Sequence, residues 1–141
     1  MATLTLSNYK TFVSEGTRTL KVATVREDGR PHVAPVWFVL DGDSILFTTS
    51  VHSIKARHLK RDPRVSVLVE NEQPPYGYAL IEGKATMALN PDDQLDWNTR
   101  LAARYVGPEQ AEAFGRRNTS DDTVLVRVTP DKVTGYDNII E

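Results

Sequence analysis

The 141-residue sequence contains no cysteine, which excludes disulfide bonds, thiolate nucleophiles and cysteine-ligated zinc or iron–sulfur centres. Its three histidines, His32, His52 and His58, lack the spacing of zinc ligands, so no metal site is expected. No apolar run approaches the ~20 residues that a membrane-spanning helix needs, and the N-terminal stretch MATLTLSNYK lacks the apolar core of a signal peptide. We therefore expect a cytoplasmic protein with no membrane partner.

Several catalytic signatures are also missing. The sequence has no nucleophile elbow, no histidine–aspartate pairing and no carboxylate pair suited to glycoside hydrolysis. It has no glycine-rich phosphate loop or dinucleotide fingerprint either. The net charge of −2 argues against general affinity for nucleic acid. These absences are consistent with a bound cofactor that carries the chemistry while the protein orients it, so we predict no catalytic side chain.

What the chain does contain is a pattern of short strands. Its length fits a single domain, residues 1–141, and its 40% hydrophobic content is ordinary for a globular protein. Tight turns join the first three strands, so these run antiparallel, and a meander of this kind closes most economically into a small barrel. Three or four helices flank six predicted strands, at residues 19–26, 32–40, 45–49, 65–70, 78–89 and 123–136.

One stretch, FTTSVHSIKARHLKRDPRVSVLVE at residues 47–70, concentrates the chemistry. It predicts a strand that ends in Thr48 and Thr49, then a basic helix that Ser53 caps. Threonine hydroxyls, free helix-start amides and Lys55 therefore converge at one corner, which suits a phosphate or another anion. Threonine is also an ordinary strand residue and lysine is usually solvated, so these residues alone leave a purely structural interpretation open.

The order of short motifs resembles a known superfamily. Asp-Gly-x-Pro at 28–31, Thr-Thr with a nearby lysine, Asp-Pro-Arg-Val-Ser at 62–66 and Glu-Gly-Lys-Ala at 82–85 are similar to the pyridoxamine 5'-phosphate oxidase-like flavoproteins. The resemblance covers residues 15–137 and is greatest to the branch that uses the deazaflavin coenzyme F420. It implies a six-stranded antiparallel split β-barrel with flanking helices, which forms a homodimer with the cofactor in a groove between the subunits.

The resemblance also implies where the cofactor binds. The second strand would give backbone contacts to the tricyclic ring, the third strand and the helix start would hold the phosphate region, and two tyrosines would come from the partner subunit. The matching positions are Val36, Trp37, Phe38, Thr48, Thr49, Ser53, Lys55, Arg57, Tyr78 and Tyr136. Since neighbouring residues of a strand point to opposite faces, one of Trp37 and Phe38 should lie in the core and the other at the cofactor groove or the dimer interface.

One departure from the family pattern favours F420 over FMN. The FMN-dependent oxidases carry an arginine and a lysine along the second strand, where this chain has Ala34 and Val39. Dispersed cations such as Arg57, Lys60 or Arg61 could instead meet the spread charge of the F420 tail. The resemblance therefore implies an F420-dependent oxidoreductase that passes a hydride to a conjugated, electron-poor molecule such as an enone, a lactone or a quinone. The alternatives are an FMN-dependent oxidase or reductase of the same fold, and a non-catalytic carrier of a flavin or deazaflavin.

Overall fold

The computed structural model describes residues 1–141. Eight strands and four helices follow one another along the chain. The strands are β1 (Ala2–Thr3), β2 (Leu20–Val25), β3 (Pro31–Val36), β4 (Val39–Asp41), β5 (Ser44–Ser50), β6 (Arg64–Asn71), β7 (Gly77–Leu89) and β8 (Thr123–Asp137). The helices are α1 (Tyr9–Ser14), α2 (Ile54–Arg61), α3 (Gln94–Val106) and α4 (Pro108–Arg117). No helix is both long enough and apolar enough to cross a membrane.

The strands form one antiparallel sheet that curls without closing. Its order is β3-β2-β6-β7-β8-β5-β4, with β1 paired to β8 outside this path. The first and last strands of the path, β3 and β4, are consecutive in the chain and only Trp37 and Phe38 separate them. The opening between these two edges is the split of the barrel. The predicted antiparallel split β-barrel with flanking helices is thereby confirmed.

The number of strands differs from the six predicted. The segment predicted as one strand at 32–40 is two strands, because the chain leaves the edge of β2 after Val36 and joins the edge of β5 at Val39. Apolar residues continue through the break at Trp37 and Phe38, so hydropathy alone does not reveal it. The other unpredicted strand is β1, which pairs Ala2 and Thr3 with the end of β8.

The core fills the inside of the curled sheet. Leu20, Val22 and Thr24 of β2 are buried and their neighbours are more exposed, which is the alternation expected of a strand with one face inward. A smaller apolar layer lies outside the sheet, where Trp97 and Leu101 of α3 cover Leu46 of β5 and Leu125 of β8. The end of β5 therefore lies between the barrel interior and α3.

The backbones of β7 and β8 approach each other closely at one point of their long ladder. The register shifts between Glu82 and Gly83, and a β-carbon on Gly83 would lie 2.2 Å from the Thr129 carbonyl oxygen. Only glycine fits so close to the neighbouring backbone. A glycine inside a strand often marks such an irregularity.

Candidate functional site

A cavity of about 380 Å³ lies in the split. Its floor is the end of β5, because β4 pairs only as far as Leu46 and residues 47–50 pair on one side alone, with β8. The end of β3, the start of α2 and the buried side of α3 surround it. Its lining residues are Val36, Trp37, Thr48, Thr49, Ser50, Lys55, Asn98, Leu101, Asn118, Ser120 and Thr123.

Trp37 forms one wall of this cavity, and Phe38 does not. Phe38 is fully buried, whereas Trp37 is 37% exposed. The indole stacks on Tyr105 of α3, with ring centroids 4.9 Å apart and an interplanar angle of 6°. The structure therefore assigns Phe38 to the core and Trp37 to the cavity, a choice that the sequence left open.

The backbone of Phe38 is already occupied. Its amide donates to the Tyr105 hydroxyl at 3.1 Å, and its carbonyl accepts from Arg104 Nη1 at 2.8 Å. Burial raises the pKa of Tyr105, so its phenol stays neutral and can serve as both donor and acceptor. Of the three positions expected to give backbone contacts to a ring, only Val36 and Trp37 line the cavity.

The side chain of Arg104 holds the β3–β4 link in place. Its guanidinium donates to the carbonyls of Val13, Gly16 and Phe38 at 2.8–3.0 Å and makes no ion pair with a carboxylate. It also lies 4.4 Å from the centroid of the Phe38 ring. Burial lowers the pKa of this arginine, although arginine remains charged in proteins. Arg104 thus joins α1, the β3–β4 link and α3, and through Tyr105 it supports the stacked Trp37.

The cavity lining also includes unused donors, and we call Thr49, Ser50 and Lys55 the donor corner. The Lys55 ammonium pairs with none of the protein's carboxylates, and burial lowers its pKa. Ser50 Oγ accepts from the His52 amide at 3.1 Å, which leaves its proton available, and the Thr49 hydroxyl has no partner within the protein. A half-buried lysine beside free hydroxyls is suited to bind an anion.

Ser53 has the structural role that the sequence predicts for it. Its hydroxyl accepts from the Ala56 amide at 3.1 Å, which caps α2. The cap places Lys55 in the first helical turn, where the helix dipole favours a bound anion. Ser53 therefore supports the donor corner but does not line it.

Three predicted residues lie away from the cavity. Arg57 is exposed on α2. Tyr78 and Tyr136 face each other across the β7–β8 ladder, with ring centroids 6.2 Å apart. Tyr78 borders a separate groove with Tyr76 and Ile139. The predicted contacts of the two tyrosines with a cofactor depend on a partner subunit, and those of all three residues stay predictions.

The third side of the cavity was not predicted at all. We call it the amide wall: Asn98 of α3 lines the cavity together with Asn118 and Ser120 after α4, and Gln94 of α3 accepts from the Ser120 amide. Gln94 and Asn98 are 3% and 2% exposed, and both bond to the segment that follows α4. Two amides four residues apart within an otherwise apolar helical face were a signal for this wall. Leu95, the neighbour of Gln94 in the chain, is by contrast 44% exposed.

Known proteins share this architecture. The sequence matches the pyridoxamine 5'-phosphate oxidase family over residues 7–137. A conserved hypothetical protein of Mycobacterium tuberculosis is 29% identical, with a TM-score of 0.79 over 94% of this chain and 84% of that chain. An F420 reductase is 28% identical, with a TM-score of 0.70 over 86% and 93%.

A third solved structure shows the fold alone. It is an FAD-binding protein of Mesorhizobium loti, 19% identical, with a TM-score of 0.64 over 96% of this chain and 97% of that chain. The family match, by contrast, spans nearly the whole sequence and includes every strand of the cavity. With its split antiparallel barrel and this match, the chain belongs to the pyridoxamine 5'-phosphate oxidase family.

Proposed function

We propose that the protein is an oxidoreductase that binds coenzyme F420 in the split of its barrel and reduces a conjugated, electron-poor small molecule. The observation that carries this proposal is the donor corner, where a half-buried lysine without an acidic partner lines a cavity that an indole also lines. The cavity volume of about 380 Å³ is typical of small-molecule sites. The likeness to an F420 reductase at 28% identity supports the same cofactor.

The residues present fit a molecule with one anionic end and one planar end. Lys55 is the only charged side chain that lines the cavity, so a phosphate that enters meets a cation and no competing carboxylate. Further cations, Arg57, Lys60 and Arg61, lie on the same helix. A short cluster of cations at one point would suit a terminal FMN phosphate. A single inner lysine with outer arginines suits the longer, spread charge of F420.

The protein's part in the reaction is to bind and to orient. Reduced F420 supplies the hydride when it is bound. Thr49, Ser50 and Lys55 hold the anionic end, and the rigid Trp37–Tyr105 stack limits where a planar group can lie. No carboxylate, histidine or tyrosine of the same chain lines the cavity, so the proton that completes a reduction comes from water or from a tyrosine of the partner subunit.

We also propose that the working form is a homodimer. Tyr76, Tyr136, Ile139 and Ile140 are exposed apolar side chains at the far end of the β7–β8 ladder, and Tyr78 lies beside them. Aromatic residues are enriched at protein interfaces. A second copy of the chain that covers this surface would bring Tyr78 and Tyr136 toward the partner's cavity. Light scattering after gel filtration tests this, and a monomer at micromolar concentration would contradict it.

The cofactor is tested by titrating the purified protein with F420 and with FMN, using the quenching of each chromophore's fluorescence. We expect F420 to bind more tightly, and tight FMN binding without F420 binding would overturn the proposal. Lys55→Ala should weaken F420 binding by about 1–3 kcal/mol, the scale of a lost charge-assisted hydrogen bond. Lys132→Ala, which removes an exposed lysine on β8, is the matched control and should leave affinity unchanged.

Activity is tested separately from binding. The turnover of reduced F420 with a panel of enones, lactones and quinones is followed by the gain of absorbance as oxidised F420 forms. A protein that binds F420 tightly but turns over none of the panel would be a carrier, and the oxidoreductase proposal would fail.

A further inference from the structure

We propose that Thr48 accepts a hydrogen bond from an N–H or O–H group on the uncharged part of the ligand, and that the donor corner alone holds the anion. This inference rests on the proposed function, and it departs from the phosphate role that the family resemblance implies for Thr48. Its basis is a chain of hydrogen bonds whose direction has only one solution. That chain runs from α4 through the amide wall to Thr48.

The chain begins at a group that can only accept. The Thr119 hydroxyl donates to the Gly115 carbonyl at 2.7 Å. Since a hydroxyl has a single proton, Thr119 Oγ1 can only accept from its other neighbour. That neighbour is Asn98 Nδ2, at 3.1 Å. The carbonyl of Gly115 therefore sets the direction of the next bond.

The side-chain amide of Asn98 is fixed in turn. Its Nδ2 also donates to the Asn118 carbonyl at 3.3 Å. Because both neighbours of Nδ2 are acceptors, a flipped amide would place its oxygen against two oxygens. Asn98 Oδ1 therefore faces Thr48 Oγ1, which lies 2.7 Å away and must donate. The proton of the Thr48 hydroxyl is committed to Asn98.

Burial keeps this direction from reversing. Asn98 is only 2% exposed, so water cannot replace a lost partner, and an unpaired amide there would carry its full desolvation penalty. Linked hydrogen bonds of one direction also strengthen each other. Thr48 therefore offers only lone pairs to whatever enters the cavity.

The next residues along β5 have the opposite character. The Thr49 and Ser50 hydroxyls and the Lys55 ammonium keep their protons available, as described for the donor corner. An anion placed against Thr48 would face lone pairs and be repelled, whereas at the donor corner it would meet donors. Flavin and deazaflavin rings carry an imide N–H, which is a donor of the kind that Thr48 can bind. The site thus distinguishes the two ends of such a molecule.

The test compares two ligands that differ only in their anionic part: F420 and the deazaflavin riboside that lacks its phosphate and glutamates. Thr48→Val should weaken both ligands by the same factor, about tenfold, as expected for one lost hydrogen bond. Thr49→Val should weaken F420 alone. Thr48→Ser, which keeps the hydroxyl, should restore the affinity for both ligands.

Loss of F420 affinity in Thr48→Val with unchanged riboside affinity would overturn the inference, since Thr48 would then hold the phosphate. If the wild type binds no deazaflavin or flavin, the proposed function fails and inorganic phosphate becomes the probe. Phosphate binding, followed by NMR shifts, should then be weakened by Thr49→Val and not by Thr48→Val. The reverse order, or no phosphate binding at all, would overturn the inference.

A measurement on the wild type guards against a variant that does not fold. The Thr48 hydroxyl proton should be visible by NMR with slowed exchange, near the Asn98 side chain, with or without phosphate. A Thr48 hydroxyl proton that exchanges with water as fast as an exposed hydroxyl would refute its commitment to Asn98.

Discussion

The donor corner and the amide wall border the same cavity and are built in opposite ways. The donor corner comes from one short stretch of chain, and the protons of its hydroxyls and ammonium have no acceptor within the protein. The amide wall joins α3 to the segment after α4, and its buried amides are bonded to their neighbours. Unpaired groups are available to a ligand, and paired groups hold the shape that the ligand meets. Both kinds of polar group are needed at one site, which is why polarity alone does not identify a ligand contact.

The largest expected effect concerns Arg104, whose guanidinium nitrogens all donate to carbonyls within the protein. Arg104→Met would remove three hydrogen bonds to backbone carbonyls, of which only the Phe38 carbonyl has another side-chain donor nearby, Tyr105, so we expect the free energy of unfolding to fall by about 3 kcal/mol. Urea unfolding measures this. Arg116→Met is the control, since Arg116 makes only an exposed pair with Glu112, and its effect should stay within about 0.5 kcal/mol. Equal losses in both variants would mean that Arg104 has no special role.

Gly115 tests the packing of the helices that hold the amide wall. A β-carbon there would lie 2.9 Å from Thr99 Cα and 3.0 Å from Thr99 N. Gly115→Ala should therefore force α4 away from α3 and cost about 2 kcal/mol, despite the better helix propensity of alanine. Glu109→Ala on the same helix is the control and should be nearly neutral. Thermal unfolding separates the two, and a stabilised Gly115→Ala variant would contradict the close approach.

Thr48 and Thr49 give the sharpest comparison, because the same isosteric change falls on adjacent residues. Thr48→Val leaves the buried Asn98 Oδ1 without a donor and should cost about 1–2 kcal/mol of stability. Thr49→Val removes a hydroxyl without a partner and should change stability by less than about 0.5 kcal/mol. Chemical unfolding of the two variants without ligand measures this difference. Equal stabilities would show that the bond between Thr48 and Asn98 contributes nothing.

The smallest expected effect concerns pH and Lys55. Burial lowers the pKa of Lys55, so the folded protein releases this proton at a lower pH than the unfolded chain does. In the window between that lowered pKa and the ordinary value of 10.5, the unfolded chain binds more protons, so stability should rise with pH. Lys55→Met should flatten this rise, and Lys132→Met should not. Identical profiles for the wild type and Lys55→Met would contradict a desolvated lysine.

Much of the fold was readable from local patterns. The tight turns between the first strands identified an antiparallel sheet, and Ser53 marked the start of α2. The break at Trp37 and Phe38 was not readable, because it depends on which strand edge lies alongside and not on local hydropathy. Trp37 and Phe38 simply continue the apolar pattern of the strands before and after them.

The site was predictable only where it is local in the chain. Thr48, Thr49 and Lys55 fall within eight residues of each other, so a motif can contain them. Asn98 reaches the cavity from 50 positions beyond Thr48, and its role depends on the packing of α3 against β5. Tyr78 and Tyr136 show the reverse limit, since their predicted contacts require a second molecule.

The link of two residues between β3 and β4 has a consequence for how members of this fold can diverge. It is the only direct chain connection between β3 and β4, the two edge strands at the opening of the barrel. Adding or removing a residue there would alter the aperture of the cleft while every ladder of the sheet kept its register. A change in the length of this link alone would let a relative accept a bulkier molecule, with the rest of the sheet unchanged.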